Sequence, residues 1–300
     1  MWCKKCKKEI FNEKCDVCGT KALDKAPFEV YWCDSCNVPI IKQANDIAKE
    51  VCPVCGEKTH YLSSDLRPVF SEERLLVEIL FDLPLKFINS SVWAFNNRYF
   101  IDGKVKVLPT KKFLESDVSK VIESLEKYKP QNNYDSFNLN IKKFVNANMD
   151  RLNYIKSEAY DFIRETAGKY PPENTVISFS GGKDSTVVAD LVVRALQNPS
   201  LVHIFGNTTL EFPLTYEYEK RFRKNNPKAI LKIAKNKEQD FYKVCEDIGP
   251  PARMMRWCCS MFKTGPITRV LNNLYRDKQI LTFYGIRKYE SISRSKYDRV

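Results

Sequence analysis

Apolar residues keep two different rhythms in the second half of the chain. Thr175 to Phe179 (TVISF) is a short β-branched run of the kind that becomes a buried parallel strand. After a small polar stretch, Val187, Val188, Leu191, Val192 and Leu196 recur at helical spacing. The alternation then repeats, with a strand over Leu201 to Phe205, a loop, and a helix before Tyr218. A third apolar strand, ILTFYGI, lies near the end. Strand, turn and helix in succession predict an α/β domain.

Upstream the rhythm is less regular. A helical face follows Ser71, and WAFNNRYFIDGKVKVLP alternates around two turn signals, Asn96-Asn97 and Asp102-Gly103, as short antiparallel strands do. A helix over Glu115 to Lys129 ends at Pro130, and one long helix is expected from about Phe137 to Ala167, stopped by Gly168 and Pro171-Pro172. Its Ile141, Phe144, Val145, Met149, Leu152 and Ile155 read as a packing face. No chemistry shows in this middle region, which reads as a spacer or recognition module.

The first sixty residues keep neither rhythm. Instead they hold eight of the eleven cysteines, as Cys3/Cys6, Cys15/Cys18, Cys33/Cys36 and Cys52/Cys55. A C-x2-C turn sets two thiolates on one side of a tight knuckle, and two knuckles complete a tetrahedral S4 site. Disulfides belong to exported domains, and MWCKKCKKEI has no apolar stretch of the kind that directs export. Two structural zinc ribbons are expected, with a rubredoxin-like iron site sharing the same ligands. The expected domains are ribbons at 1–22 and 23–62, a small α+β module at 63–135, and an α/β nucleotide-binding domain at 136–300.

Composition adds less. The 300 residues carry 49 basic and 37 acidic side chains, a net charge of +12. That balance favours polyanionic partners, nucleic acid or phosphate-bearing small molecules, but a solvated lysine-rich surface has the same signature. No run is long and apolar enough to span a bilayer, so a cytoplasmic chain without a membrane partner is expected.

The chemistry concentrates in ISFSGGKDST, Ile177 to Thr186. Between a strand and a helix, backbone N–H groups and the helix dipole converge on an anion. Gly181 and Gly182 permit positive φ and close approach of phosphate oxygens, Ser180, Ser185 and Thr186 offer hydroxyls, and Lys183 adds positive charge. Asp184 beside a phosphate argues for an intervening Mg²⁺.

SGGKDS resembles the S-G-G-x-D-S pyrophosphate loop (PP-loop) of the adenine-nucleotide α-hydrolase superfamily. Three further stretches resemble the phosphoadenosine phosphosulfate (PAPS) reductase family within it: NTTLEFP from Asn207, RWCCSMFKTGP from Arg256, and GIRKYESISR from Gly285. The resemblance implies a doubly wound, mainly parallel sheet of Rossmann type. It further implies an enzyme of sulfur metabolism acting at the α-phosphate or sulfate of an adenylyl nucleotide. Carried over to this chain, Ser180 to Thr186, Asn207, Arg287, Glu290 and Arg294 would hold the nucleotide. Lys183, Asp184, Cys258, Cys259 and Arg287 would carry the chemistry.

In the iron–sulfur reductases of the family, a pair such as Cys258/Cys259 supplies half the ligands of a [4Fe–4S] cluster and a downstream C-x-x-C the rest. That downstream pair is missing here, so a fragment is expected. An intact SGGKDS favours ATP with Mg²⁺, because PAPS carries no β,γ-pyrophosphate. An ATP pyrophosphatase that passes sulfur from a thiol or sulfur-donor protein to tRNA or DNA is therefore the alternative. A nucleotide-sensing scaffold is the third reading.

Overall fold

The computed structural model describes residues 1–6, 8–10, 14–23, 28–43, 50–108, 111 and 114–287. Its chain divides into two compact units, Met1–Asn153 and Tyr154–Val300.

The first unit opens with β1 (Trp2–Cys3) and β2 (Lys8–Glu9), an antiparallel pair. Bridges Trp2 to Leu23 and Lys14 to Lys21 complete this small ribbon. A second ribbon pairs β3 (Phe28–Cys33) with β4 (Val38–Gln43) and β5 (His60–Ser63), in the order β4-β3-β5. In each ribbon every knuckle sits at its own turn. Cys33 and Cys36 lie at the β3–β4 turn, and the Val51 to Lys58 bridge frames Cys52 and Cys55.

The middle module is an antiparallel sheet of β6 (Arg67–Pro68), β7 (Val92–Phe95), β8 (Arg98–Ile101) and β9 (Lys104–Val107), with α1 (Ser71–Leu80) between β6 and β7. Both turn signals fall where expected, with Asn96, Asp102 and Gly103 all at positive φ. Val69, Val77, Val92, Ala94 and Tyr99 fill one face. Trp32, Trp93 and Phe100 fill a second cluster, closed by Ile141 and Phe144.

Next come α2 (Val118–Tyr128), N-capped by Asp117, then α3 (Asp135–Ala147) and α4 (Met149–Ala167). The single long helix expected from Phe137 is thus two, broken at Asn148. The cause is a buried side chain. Asn148 accepts the Ile41 N–H at 2.7 Å and donates to the Pro39 carbonyl at 3.1 Å, completing the free edge of β4. The boundary expected at 135/136 therefore falls inside the first unit, where α3 packs on β4, and α4 crosses the division at Asn153.

The second unit holds the doubly wound sheet. β10 (Thr175–Phe179), β11 (Val202–Asn207) and β12 (Ile230–Lys235) pair in parallel, and β13 (Leu281–Phe283) joins the other side of β10, giving the order β12-β11-β10-β13. α5 (Lys183–Leu196) and α6 (Pro213–Asn225) cover one face through Ala189, Val192, Tyr218 and Phe222. α7 (Phe241–Ile248) follows β12, and α8 (Gly265–Tyr275) covers the other face through Ile267, Val270 and Leu271. Successive residues of β10 face opposite layers, both of them covered: Ile177 and Phe179 face α5, and Val176 faces α8. No helix of the described residues is long and apolar enough to cross a membrane.

Candidate functional site

Strand order decides where a ligand belongs. The chain runs outward from β10 to β12 and then returns to the far side of β10 as β13, so the sheet reverses direction between β10 and β13. Open α/β sheets bind ligands outside the carboxyl ends of their strands at such a switch point. The SGGKDS loop leaves β10 there, and Gly285-Ile286-Arg287 leaves β13 beside it.

The loop holds its shape from within. Ser185, almost fully buried, donates to the Gly182 carbonyl at 3.0 Å and accepts from both the N–H and the hydroxyl of Ser180 at 3.1 Å. Thr186 donates to the same carbonyl at 2.9 Å and accepts from the Tyr218 hydroxyl at 3.1 Å. These hydroxyls, expected to face phosphate, are used to build the turn. Gly181 adopts φ +73° as expected, but Gly182 is extended at φ −79°, so the turn needs one left-handed residue rather than two. The first intrahelical bond runs from Thr186 N–H to Gly182. The N–H groups of Lys183, Asp184 and Ser185 therefore open outward at the positive end of α5.

The charged side chains gather above them. Lys183 Nζ lies 3.3 and 3.2 Å from the two Asp184 oxygens, and Arg287 Nε lies 3.3 Å from Oδ2. Their meeting depends on Gly285. A Cβ there would stand 2.8 Å from the Asp184 carbonyl carbon and oxygen and 3.0 Å from the Ser185 nitrogen, so only glycine lets the β13 exit lie against the first turn of α5. Nothing in the spacing of GIRKYESISR revealed this contact. Glu290 and Arg294 lie outside the described residues.

Asn207 is nearly buried at the end of β11, and its side-chain oxygen Oδ1 accepts from Thr209 N–H at 2.9 Å and from the Tyr216 hydroxyl at 3.1 Å. Thr208 donates to Glu211 at 2.8 Å, and Thr209 takes φ +69°. The NTTLEFP segment is thus a self-braced loop at the sheet's carboxyl edge. His203 is buried inside β11, with Nδ1 2.9 Å from the Leu201 carbonyl and aromatic rings around it. Burial pushes its imidazole below the ordinary histidine range, which keeps it neutral.

The vicinal cysteines diverge. Cys258 packs with Val244, Trp257 and Phe262, in the same cluster as Cys245. Cys259 begins a π-helical turn (Cys259–Thr264), and Arg256 donates to its sulfur at 3.5 Å. Cys245, for which spacing offers no argument as a ligand, packs at the edge of the Cys258 cluster.

In the first unit, Cys3, Cys6, Cys15 and Cys18 form one cluster and Cys33, Cys36, Cys52 and Cys55 another, each with its four sulfurs within 4.8 Å of one another. None is in a disulfide. Neighbouring sulfurs lie 3.4 to 3.9 Å apart, close to the ~3.8 Å edge of a tetrahedron with metal–sulfur bonds of about 2.3 Å. Backbone N–H groups of Cys6 and Cys36 point at the first sulfur of their own knuckles. Crowding divides the protons: hydrogen bonds to Thr20 bring Cys18 down to about 6, while the Cys18 contact pushes Cys6 up to about 12. A bound dication would replace those protons. Both clusters could hold a metal.

Comparison with known proteins agrees with the second unit. Residues 174–300 match the phosphoadenosine phosphosulfate reductase domain. This part of the chain is similar to that family. Two uncharacterised proteins of Methanocaldococcus jannaschii, MJ0066 and MJ0973, are each 32% identical over 179 and 163 residues, or 60% and 53% of this chain. The matches cover 36% and 38% of those relatives, so the chain spans between a third and two fifths of their length. Among solved structures, a PAPS reductase from Candida auris with bound phosphate overlaps 42% of this chain and 61% of its own, at 17% identity and a TM-score of 0.30. An NH3-dependent NAD synthetase from Campylobacter jejuni, in complex with nitrate, overlaps 45% and 57% at 19% identity and a TM-score of 0.34.

Proposed function

We propose that this chain is an enzyme of sulfur metabolism whose PAPS reductase domain binds an adenylyl nucleotide carrying sulfate and acts at its phosphate–sulfate end. The observation that carries this reading is the convergence of Lys183 and Arg287 on the first turn of α5 at the switch point. A helix start with free N–H groups and two cations suits a phosphate–sulfate anhydride. The loop amides and Lys183 would hold the phosphate, and Arg287 the sulfate. The resulting stabilisation is electrostatic and positional. Cys259, beside Arg256, is the thiol best placed for sulfur chemistry.

The family's iron–sulfur chemistry fits this chain only in part. Cys258 and Cys259 make at most half of a four-thiolate set, and among the described residues they join no larger group of metal-ligating side chains. The eight N-terminal thiolates fit zinc, which would fold the ribbons and leave no open coordination position for catalysis. No membrane role is proposed, and the surroundings of the reaction are taken to be cytoplasmic.

Competitive binding of adenosine 5′-phosphosulfate, PAPS and ATP to anaerobically purified chain tests the reading, together with sulfite release in the presence of a dithiol. Preference for a sulfate-bearing nucleotide, lost in Arg287→Gln, is the expected outcome. One observation favours a second reading: every residue of SGGKDS is kept, as an ATP site would need. Pyrophosphate release from ATP that rises with tRNA or DNA would replace sulfate reduction by adenylating thiolation.

A further inference from the structure

Asp184 is the one carboxylate of the loop, and the expectation from sequence gave it to Mg²⁺. The residues around it do not fit that ion. Mg²⁺ asks for about six oxygen ligands in a near-ideal octahedron and commonly draws one or two carboxylates from the protein. Both oxygens of Asp184 already face cations, Lys183 Nζ at 3.3 and 3.2 Å and Arg287 Nε at 3.3 Å. The neighbouring hydroxyls are already engaged: Ser180, Ser185 and Thr186 are tied to one another, to the Gly182 carbonyl and to Tyr218. Glu211, the acid of the adjoining motif, is held by Thr208. A dication at Asp184 would stand against Lys183 and Arg287, two positive groups that already neutralise its carboxylate.

We infer that Asp184 is a positioning residue for Arg287, and that this site takes its nucleotide without a divalent cation. The inference rests on the nucleotide-binding reading above and narrows it to a ligand whose charge two side-chain cations and the loop amides can match.

The geometry is that of a bracket. β13 delivers Arg287 two residues after Gly285, whose missing Cβ lets the backbone press on Asp184 itself. The carboxylate takes the Nε side of the guanidinium. Among the described residues the two terminal nitrogens have no acidic partner, and they are the bidentate face that binds a phosphate or sulfate oxygen pair. Without Asp184 the arginine would keep its charge and lose its aim. At 59% exposure the Arg287 side chain needs such an anchor to hold one rotamer.

The test is nucleotide affinity by calorimetry, for PAPS and adenosine 5′-phosphosulfate, in excess EDTA and again in millimolar Mg²⁺. It uses the wild-type chain, Asp184→Asn, Asp184→Glu, Arg287→Gln and the double variant Asp184→Asn/Arg287→Gln. Wild-type affinity should be the same in both buffers. Asp184→Asn should weaken binding about fivefold, as expected for a half-exposed ion pair, and Asp184→Glu should restore part of the loss. Arg287→Gln should weaken it more, and the double variant should be no worse than Arg287→Gln alone, because Asp184 acts through the arginine. A wild-type affinity that collapses in EDTA and returns with Mg²⁺ overturns the inference, as do losses that simply add in the double variant. A wild-type chain that binds neither these nucleotides nor ATP overturns the nucleotide reading as well, which tells the two failures apart.

Discussion

The two ribbons share one ligand chemistry and differ in what surrounds it. In the first, Cys3 and Cys15 are buried with little more than Ile10, Met1 and Ala22. In the second, Cys33 and Cys52 are buried with Val38, Ile40, Phe144 and Ala147, and the same strand carries Trp32 into the Trp93–Phe100 cluster. The second is also pinned from outside. Asn37, in the left-handed position after its first knuckle, donates to Asp102 at 2.8 Å, and Asp102 also accepts the Ser91 N–H at 2.8 Å. The first is tied through the ion pair of Glu9 with Arg151, whose guanidinium also covers the Phe28 ring at 4.1 Å. The same S4 site can thus be either the whole core of a module or one corner of a larger core.

The largest test of that contrast is loss of one ligand. Cys52→Ser should remove one metal per chain and abolish the near-ultraviolet signature of Trp32 and Trp93, because ribbon and tryptophan cluster share β3. Cys15→Ser should remove one metal and leave that signature intact; equal collapse in both would erase the distinction. Metal analysis with near-ultraviolet circular dichroism reads both outcomes. Next in size, Trp32→Ala should lower the unfolding free energy by about 3–5 kcal/mol, since its side chain is fully buried. Asn148→Ala should lower it by about 2 kcal/mol by stripping partners from two buried β4 groups. Smallest, Arg151→Ala should cost about 1 kcal/mol, since the pair it breaks is only partly buried. A larger loss there than at Asn148 would mean that the first ribbon is the more deeply integrated of the two.

Much of this was readable in the chain. The C-x2-C spacings located all eight sulfurs, and the change from a β-branched run to helical spacing across SGGKDS located the candidate anion site. Periodicity failed at Asn148, where the helical pattern runs on but a side chain can do better by completing a distant strand edge. The loop hydroxyls were assigned outward because a sequence shows donors and not their partners; Ser185 spends its capacity inside the turn. Neither the Asp184–Arg287 pair nor the need for glycine at 285 could be read, because both arise where two chain segments meet that are far apart in sequence.

That separation has a kinetic side. Thr175 pairs with Leu281, so the two strands that bracket the site lie about a hundred residues apart, and β11, β12 and four helices must be threaded between them. During synthesis the loop after β10 emerges long before Arg287 does. Contacts of such high order form late and slowly. Until β13 docks, a nascent chain displays a helix start with Lys183 and Asp184 but has no arginine to complete it. On the proposed reading, affinity for nucleotide would be complete only once β13 docks beside β10, and bound ligand would by mass action favour the docked strand.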